Sequence, residues 1–224
     1  HAPQAPLLLA KGATLRVLDL SRARPTLAEV GRVFQSGMFM NDRQFIIAPQ
    51  VSSYPGSRTQ ARKILRWLSG LGVVEPQLSA CGMRPGALGY AMAPGAERVL
   101  DLPVGHSLPL GQPRSGLEII TDRCLFMPER DFEKEAGCPR CRREIGEALF
   151  EHLETWMPGE TDNFECPECA FEDDINGFIF PQPCAFSDLG FIFNNWPGEY
   201  FLRGFLDEFS DRLGFPIRQV RVRL

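Results

Sequence analysis

Two pairs of cysteines are the residues in this 224-residue sequence whose types and spacing point most directly to chemistry. Cys138 and Cys141 form Cys-Pro-Arg-Cys, and after 24 further residues Cys166 and Cys169 form Cys-Pro-Glu-Cys. The two-residue spacing lets both sulfurs of a pair converge on one ion from a tight turn, and two such turns complete a tetrahedron of thiolates around zinc. Because four thiolates leave no open coordination position, the pattern predicts a structural Zn²⁺ rather than a catalytic one.

The alternatives for these four cysteines are an iron–sulfur cluster, two buried pairs without a metal, or a redox dithiol. The chain has seven cysteines, and this odd number argues against a secreted disulfide framework. We therefore expect a reducing compartment and a cytoplasmic protein. The other three cysteines, Cys81, Cys124 and Cys184, are predicted to be packed thiols, with a reactive Cys124 beside Arg123 as the alternative.

The two cysteine pairs resemble the knuckles of zinc-ribbon proteins, which often have the form C-P-x-C. The resemblance covers about residues 136–172 and implies a bound metal but no particular activity. Ribbon knuckles usually have Gly after the second cysteine, whereas Arg142 and Ala170 stand at these positions. A helix between the pairs would make the site an elaborated one. The C-terminal half, with its paired C-P-x-C and an aromatic tail, also looks like uncharacterised bacterial proteins.

The two histidines inside the chain have no catalytic setting in the sequence. His152 and Glu154 lie ahead of Cys166 and resemble the H-x-E…P-C-x-x-C motif of zinc deaminases, but Pro167 follows the cysteine instead of preceding it. His152 also falls on the apolar side of its predicted helix, so we expect a core histidine. His106 lies in a Gly- and Pro-rich loop with no acidic partner evident.

The sequence also contains no familiar catalytic motif. The sequence has no H-E-x-x-H, no G-x-x-x-x-G-K-[ST] and no G-x-S-x-G pattern. We therefore expect a protein that is not an enzyme. Catalysis by a loop within residues 81–116 ranks as the third hypothesis.

The charge is uneven along the chain although its net value is only −4. Residues 1–119 carry +6, residues 120–175 carry −10 and residues 176–224 are neutral. The acidic middle segment disfavours a phosphate backbone and favours a basic partner. One predicted helix presents acidic side chains to solvent at Glu144, Glu147, Glu151 and Glu154. We therefore predict a non-enzymatic protein-binding module that masks a basic protein, by analogy with bacterial immunity proteins.

The alternative function is that of a zinc-ribbon protein that binds nucleic acid or acts in transcription. Its support lies in the basic N-terminal half, where a predicted helix carries Arg58, Arg62, Lys63 and Arg66. Arg221 and Arg223 share one face of the last predicted strand. No apolar run reaches the roughly 18 residues that a membrane helix needs, so no membrane partner is expected.

The hydrophobic pattern predicts an α+β fold of short mixed strands and helices. Strands are predicted at 14–20, 44–51, 98–102, 117–127, 177–180, 190–196 and 218–224. Helices are predicted at 27–38, 57–71, 142–156 and 201–213, with capping boxes at 26–29 and 57–60.

Three parts of the chain follow from these elements. Residues 1–13 are expected to be a disordered or non-native tail. Residues 14–116 form a predicted α/β portion that ends in a Gly- and Pro-rich loop, and residues 117–224 form a portion stapled by zinc. The pattern leaves open whether the two portions share one core.

Overall fold

A computed structural model describes residues 42–128 and 132–223 of the chain. The predicted tail at 1–13, the predicted strand at 14–20 and the predicted helix at 27–38 with its capping box lie outside the described residues. Within the described ranges the fold is α+β, with helices and antiparallel sheets.

Three helices and ten strands make up the described part of the chain. The helices are α1 (Ser57–Gly70), α2 (Gly146–Trp156) and α3 (Arg203–Leu213). The first five strands are β1 (Arg43–Pro49), β2 (Val74–Ser79), β3 (Gly89–Met92), β4 (Gly116–Ile120) and β5 (Cys124–Phe126). The others are β6 (Asn163–Glu165), β7 (Glu172–Asp174), β8 (Ala185–Ser187), β9 (Gly190–Asn194) and β10 (Ile217–Arg223).

Six of the strands form one antiparallel sheet in the order β10-β1-β9-β4-β3-β2. Strands β1 to β3 come from the predicted N-terminal portion, whereas β4, β9 and β10 come from the predicted C-terminal portion. The boundary near residue 116 falls at the first residue of β4. The two portions therefore share a sheet and a core.

Helices α1 and α3 cover one face of this sheet. Alternation along β1 points Phe45 and Ile47 into the core beneath the helices, and β9 contributes Phe191 and Phe193. Phe209 of α3 meets Phe191 edge-on, with ring centroids 5.0 Å apart. The apolar stripe of each helix, at the spacing read from the sequence, is what places it on the sheet.

The opposite face of the sheet packs against the paired strands β5 and β8, beyond which lies a second structural unit. Ile46 of β1 and Val220 of β10 pack there with Phe126 and Ala185, which belong to the paired strands β5 and β8. Beyond that pair, residues 132–186 form what we call the cysteine unit. It has its own aromatic core around Trp156, Phe164, Phe178 and Phe186 and includes Cys138 and Cys166.

Several predicted elements are confirmed and others need correction. Strand β1, strand β9, helix α3 and strand β10 lie where the periodicity placed them. The predicted helix at 142–156 begins only at Gly146, because residues 142–145 close the first cysteine turn. The predicted strand at 117–127 is split into β4 and β5.

Three further predictions are wrong. Residues 98–102 are not a strand: a 3-10 turn occupies Pro94–Arg98, and the strand of this region is β3. Residues 177–180 form only an isolated bridge, between Ile179 and Gly137. The capping box at 57–60 is absent, because the residue that caps α1 is Gly56 in the left-handed conformation, with no side-chain hydrogen bond.

The loop after β1 joins the sheet to the cysteine unit. Ser52 is fully buried, and its hydroxyl accepts a hydrogen bond of 2.8 Å from Nε1 of the equally buried Trp156. The backbone N–H of Ser52 donates to the Asp174 carboxylate at 2.8 Å. Arg123 donates to the carbonyl oxygen of Trp156, the last residue of α2, and to that of Thr161 in the loop that follows. This junction is polar and fully paired, so it fixes the orientation of the cysteine unit.

We predict that Ser52→Ala destabilises the protein by about 1–3 kcal/mol, because it leaves the buried Trp156 N–H without an acceptor. Urea unfolding followed by tryptophan fluorescence measures the change. Ser57→Ala is the matched control: Ser57 makes no capping hydrogen bond, so we expect a change within about 0.5 kcal/mol. Equal effects of the two substitutions would contradict the role assigned to Ser52.

Candidate metal centre

Both cysteine pairs lie in turns with the same pattern of backbone hydrogen bonds. In the first turn, Cys138 N–H donates to the Arg143 carbonyl at 3.0 Å and Arg142 N–H donates to the Cys138 carbonyl at 3.0 Å. In the second, Cys166 N–H donates to the Phe171 carbonyl at 2.8 Å and Ala170 N–H donates to the Cys166 carbonyl at 2.9 Å. The two turns thus have equivalent backbone hydrogen bonds.

Short antiparallel pairings present both turns. The second turn joins β6 to β7, whose pairing is in register from Asn163–Asp174 to Glu165–Glu172. The first turn is flanked by an isolated bridge between Gly137 and Glu144, after which the chain enters α2. Helix α2 then packs Leu149 and Trp156 into the core of the cysteine unit, beside both turns.

The four sulfurs lie within 4.8 Å of one another. Sγ of Cys138 is 3.7 Å from Sγ of Cys169, and Sγ of Cys141 is 3.8 Å from Sγ of Cys166. These distances are far longer than a disulfide bond of about 2.05 Å, and all seven cysteines are free thiols. The cluster could therefore hold one metal ion through four sulfurs, as the residue spacing predicts.

Backbone donors and burial act on these thiols in opposite directions. Burial raises the pKa of Cys138, but hydrogen bonds from the N–H groups of Cys141 and Arg140 outweigh it and lower that pKa to about 7. Burial raises the pKa of Cys169 to about 12 and also raises the pKa of Cys166. Burial among other thiols thus opposes ionisation of Cys166 and Cys169, whereas a bound cation would favour the thiolate form of its ligands.

The residues that follow each second cysteine adopt the conformation usual for glycine. Arg142 has φ +63° and Ala170 has φ +54°, both in the left-handed region. Both side chains are exposed, so the strain lies in the backbone and not in packing. Both turns therefore place a left-handed residue after their second cysteine at a cost in backbone strain that glycine would avoid.

The remaining cysteines stand apart from the cluster. Cys81 and Cys184 are buried, and burial, partly opposed by the charge of Arg218, raises the pKa of Cys184 to about 12. Cys184 is thus a neutral packed thiol, as expected. Cys124 is half-buried in β5.

Neither histidine joins the four cysteines. His152 is half-buried, and its Nε2 lies 2.9 Å from the Asn163 carbonyl while its ring meets Phe164 edge-on. It therefore supports the unit by packing and hydrogen bonding. His106 lies in the loop that precedes β4 and lines a cleft between loops, described below.

The acidic candidates divide into two kinds. Glu147, Glu151 and Glu154 are exposed on α2 and make no ion pair with another described residue. Glu144 precedes the helix, and its carboxylate accepts hydrogen bonds from the N–H groups of Ala136 and Gly146 at 3.2 and 2.7 Å. Glu144 thus serves the start of α2 and is not part of the free acidic stripe.

The basic candidates lie on the outer face of α1, where all are exposed: Arg58, Arg62, Lys63 and Arg66. Arg58 approaches Asp122 at 3.9 Å, and Arg62 donates to the Arg58 carbonyl one turn away. The structure also brings Arg43 and Asn195 together with Arg223 in a cleft that the sequence did not reveal. Residues from opposite ends of the chain meet there through β1–β10 pairing, and no local pattern signals such a meeting.

Comparison with protein-family models, with curated proteins and with solved structures finds no match to this chain. Among the helices of the described residues, none combines the length and the apolar character that crossing a bilayer requires. The chemistry of the site itself must therefore carry any functional conclusion.

We predict that Ala170→Gly leaves the protein as stable or stabilises it by up to about 1 kcal/mol, because glycine removes the strain of a left-handed alanine. Ala148→Gly, the same chemical change inside α2, should destabilise by about 1 kcal/mol. Urea unfolding of both variants measures the change in the free energy of unfolding, which should differ in sign between them. A destabilised Ala170→Gly variant would contradict the backbone strain assigned to Ala170.

Proposed function

We propose that the four cysteines hold one structural Zn²⁺. A tetrahedral site with Zn–S bonds of about 2.3 Å has S···S edges of about 3.8 Å. The separations of 3.7 and 3.8 Å between sulfurs of different turns support this assignment. Each turn also aims backbone N–H groups at its first sulfur, from Arg140 and Cys141 in one and from Glu168 and Cys169 in the other, and such donors stabilise metal-bound thiolates.

Zinc in this site would serve the fold of the cysteine unit. Strands β6 and β7 have three residues each and α2 has eleven, so the regular elements of the unit are short. Cys138 and Cys166 are buried among the aromatic side chains of its core. The ion would link two turns that are otherwise distant along the chain, which compensates for a small core.

We further propose that the cysteine unit binds a basic protein. The observation that carries this proposal is the stripe of Glu147, Glu151 and Glu154 on α2. These carboxylates repeat at helical spacing, face solvent and make no ion pair with another described residue. An unneutralised acidic stripe on a rigid helix attracts basic partners over long range and speeds their association.

The surroundings of the stripe strengthen its field. Four thiolates on Zn²⁺ carry a formal charge of about −2 in total, which adds to the −10 of residues 120–175. The turn between β6 and β7 and its flanks add exposed carboxylates at Glu160, Glu165, Glu168, Glu172 and Asp173. A basic toxin masked by this surface is one kind of partner that fits.

Nucleic-acid binding remains the second candidate, and the exposed basic stripe of α1 favours it. Arg58, Arg62 and Arg66 follow one another at intervals of one turn on a face that solvent reaches. The acidic cysteine unit would repel a phosphate backbone, so the nucleic acid would have to bind α1 alone. This charge distribution ranks the candidate below a basic protein partner.

We predict that the purified protein contains one zinc per chain and that a strong chelator unfolds the cysteine unit. Cys141→Ser should lose the metal and lower the melting temperature. Cys184→Ala is the matched control, because it removes a buried thiol of the same core outside the cluster and should keep the metal. Mass spectrometry under native conditions measures metal content, and far-UV circular dichroism measures unfolding. Equal metal content in the two variants would sink the assignment.

We predict that Glu147→Lys, Glu151→Lys and Glu154→Lys together abolish capture of a basic protein from nuclease-treated lysate of the source cells. A control with Glu75, Glu97 and Asp211 changed to Lys has the same net charge, and its substitutions lie on exposed residues outside the cysteine unit. Quantitative mass spectrometry compares the proteins captured. A partner that the wild type and the control retain and the triple variant loses is the expected result, with capture that weakens as salt rises.

Other results would contradict this proposal in distinct ways. A partner that the triple variant retains would show that the α2 stripe is not its binding surface. Capture that disappears with nuclease, together with loss of DNA or RNA binding in an Arg58→Gln, Arg62→Gln and Arg66→Gln variant, would favour the nucleic-acid candidate.

A further inference from the structure

A polar cleft lies at the end of β1 opposite the Ser52 junction. Two pockets of about 470 and 410 Å³ both border Arg43 and His106, and we call the two together the cleft. Their volumes fall in the range typical of small-molecule sites. One pocket is lined further by Ser107, Asn195 and Arg223. The other is lined further by Asp101 and Glu199.

Hydrogen bonds between backbones hold the walls of this cleft in place. Asp101 N–H donates to the Tyr200 carbonyl at 2.9 Å, and Leu100 forms a bridge with Phe201. On the strand side, the N–H of Arg43 donates to the Asn195 side chain at 3.0 Å, and Asn195 N–H donates to the Arg43 carbonyl at 2.8 Å. The cleft is therefore a built feature of the fold.

Two arginines face each other in this cleft, and no carboxylate among the described residues forms an ion pair with either. Arg43 of β1 is directly opposite Arg223 of β10 in the strand register. Like charges directly opposite each other destabilise a sheet. Neither makes an ion pair with a described residue, whereas nearby Arg114 pairs with Asp42 and Arg221 lies over the ring of Tyr200 at 3.9 Å. An anion between Arg43 and Arg223 would remove the repulsion.

The second pocket has the opposite chemistry. Asp101 and Glu199 line it, both are exposed, and neither side chain is paired with a described residue. Carboxylates in such a position accept hydrogen bonds from hydroxyl groups, as acidic residues do from the ribose of nucleotides. The cleft thus has a cationic end and an acceptor end, joined by Arg43 and His106.

We propose that this cleft binds a small phosphorylated molecule with several hydroxyl groups, in the class of sugar phosphates and nucleotides. Arg43 and Arg223 bind the phosphate through their planar guanidinium groups, and His106 and Ser107 add donors. Asp101 and Glu199 accept from the hydroxyl groups. This binding site lies apart from the cysteine unit and does not depend on the proposed protein-binding function.

Calorimetric titration with ribose 5-phosphate, AMP, ribose and inorganic phosphate tests the proposal. A phosphorylated sugar or nucleotide should bind more tightly than either ribose or phosphate alone. Arg43→Gln or Arg223→Gln should weaken that binding roughly tenfold or more, since each removes charge-assisted hydrogen bonds. Arg66→Gln on α1, with the same charge change on an exposed residue outside the cleft, is the matched control and should bind as the wild type does.

Stability measurements separate loss of binding from loss of folding. Because each Gln substitution removes one of two facing like charges, the unliganded variants should melt at or above the temperature of the wild type. Asp101→Asn with Glu199→Gln should weaken ribose 5-phosphate binding while leaving phosphate binding unchanged. Failure of all four probes to bind at millimolar concentration, or unchanged affinity in the folded arginine variants, would overturn the proposal.

Discussion

Four thiols within 4.8 Å of one another are the constraint on which the cysteine unit depends. Burial raises the pKa of Cys166 and Cys169, whereas backbone donors lower the pKa of Cys138 to about 7. The proposed Zn²⁺ would resolve this conflict, because a bound cation makes all four thiolates favourable at once. It would also link two turns that are otherwise joined only by α2 and a few short strands.

The sequence predicted the grouping of these four cysteines because the information is local: a two-residue spacing sets the geometry of each turn whatever surrounds it. After the second cysteine of each turn, Arg142 and Ala170 adopt the left-handed conformation that glycine would adopt more easily. The long elements were equally predictable. The apolar residues of α1 and α3 recur at helical spacing, and those of β10 alternate as in a strand.

The sequence did not predict the order of the strands in the large sheet, because that order depends on contacts between residues distant along the chain. The sheet order depends on pairings between residues some 150 to 180 positions apart, such as Phe45 with Phe193 and Arg43 with Arg223. Short strands such as β6, β7 and β8 have three residues each, too few for a period to be visible. The Ser52–Trp156 junction likewise joins two residues that have no signal of their own.

Strand β1 relates the two surfaces of opposite charge. Its C-terminal end leads through Ser52 to the acidic cysteine unit, and its N-terminal end carries Arg43 into the cationic end of the cleft. Long-range attraction of a basic protein to α2 and capture of a phosphate by paired arginines need opposite local potentials, and one surface could not supply both. The two surfaces lie at opposite ends of a buried strand, which keeps their fields apart on one sheet. The proposed protein binding and the proposed anion binding can therefore be tested separately.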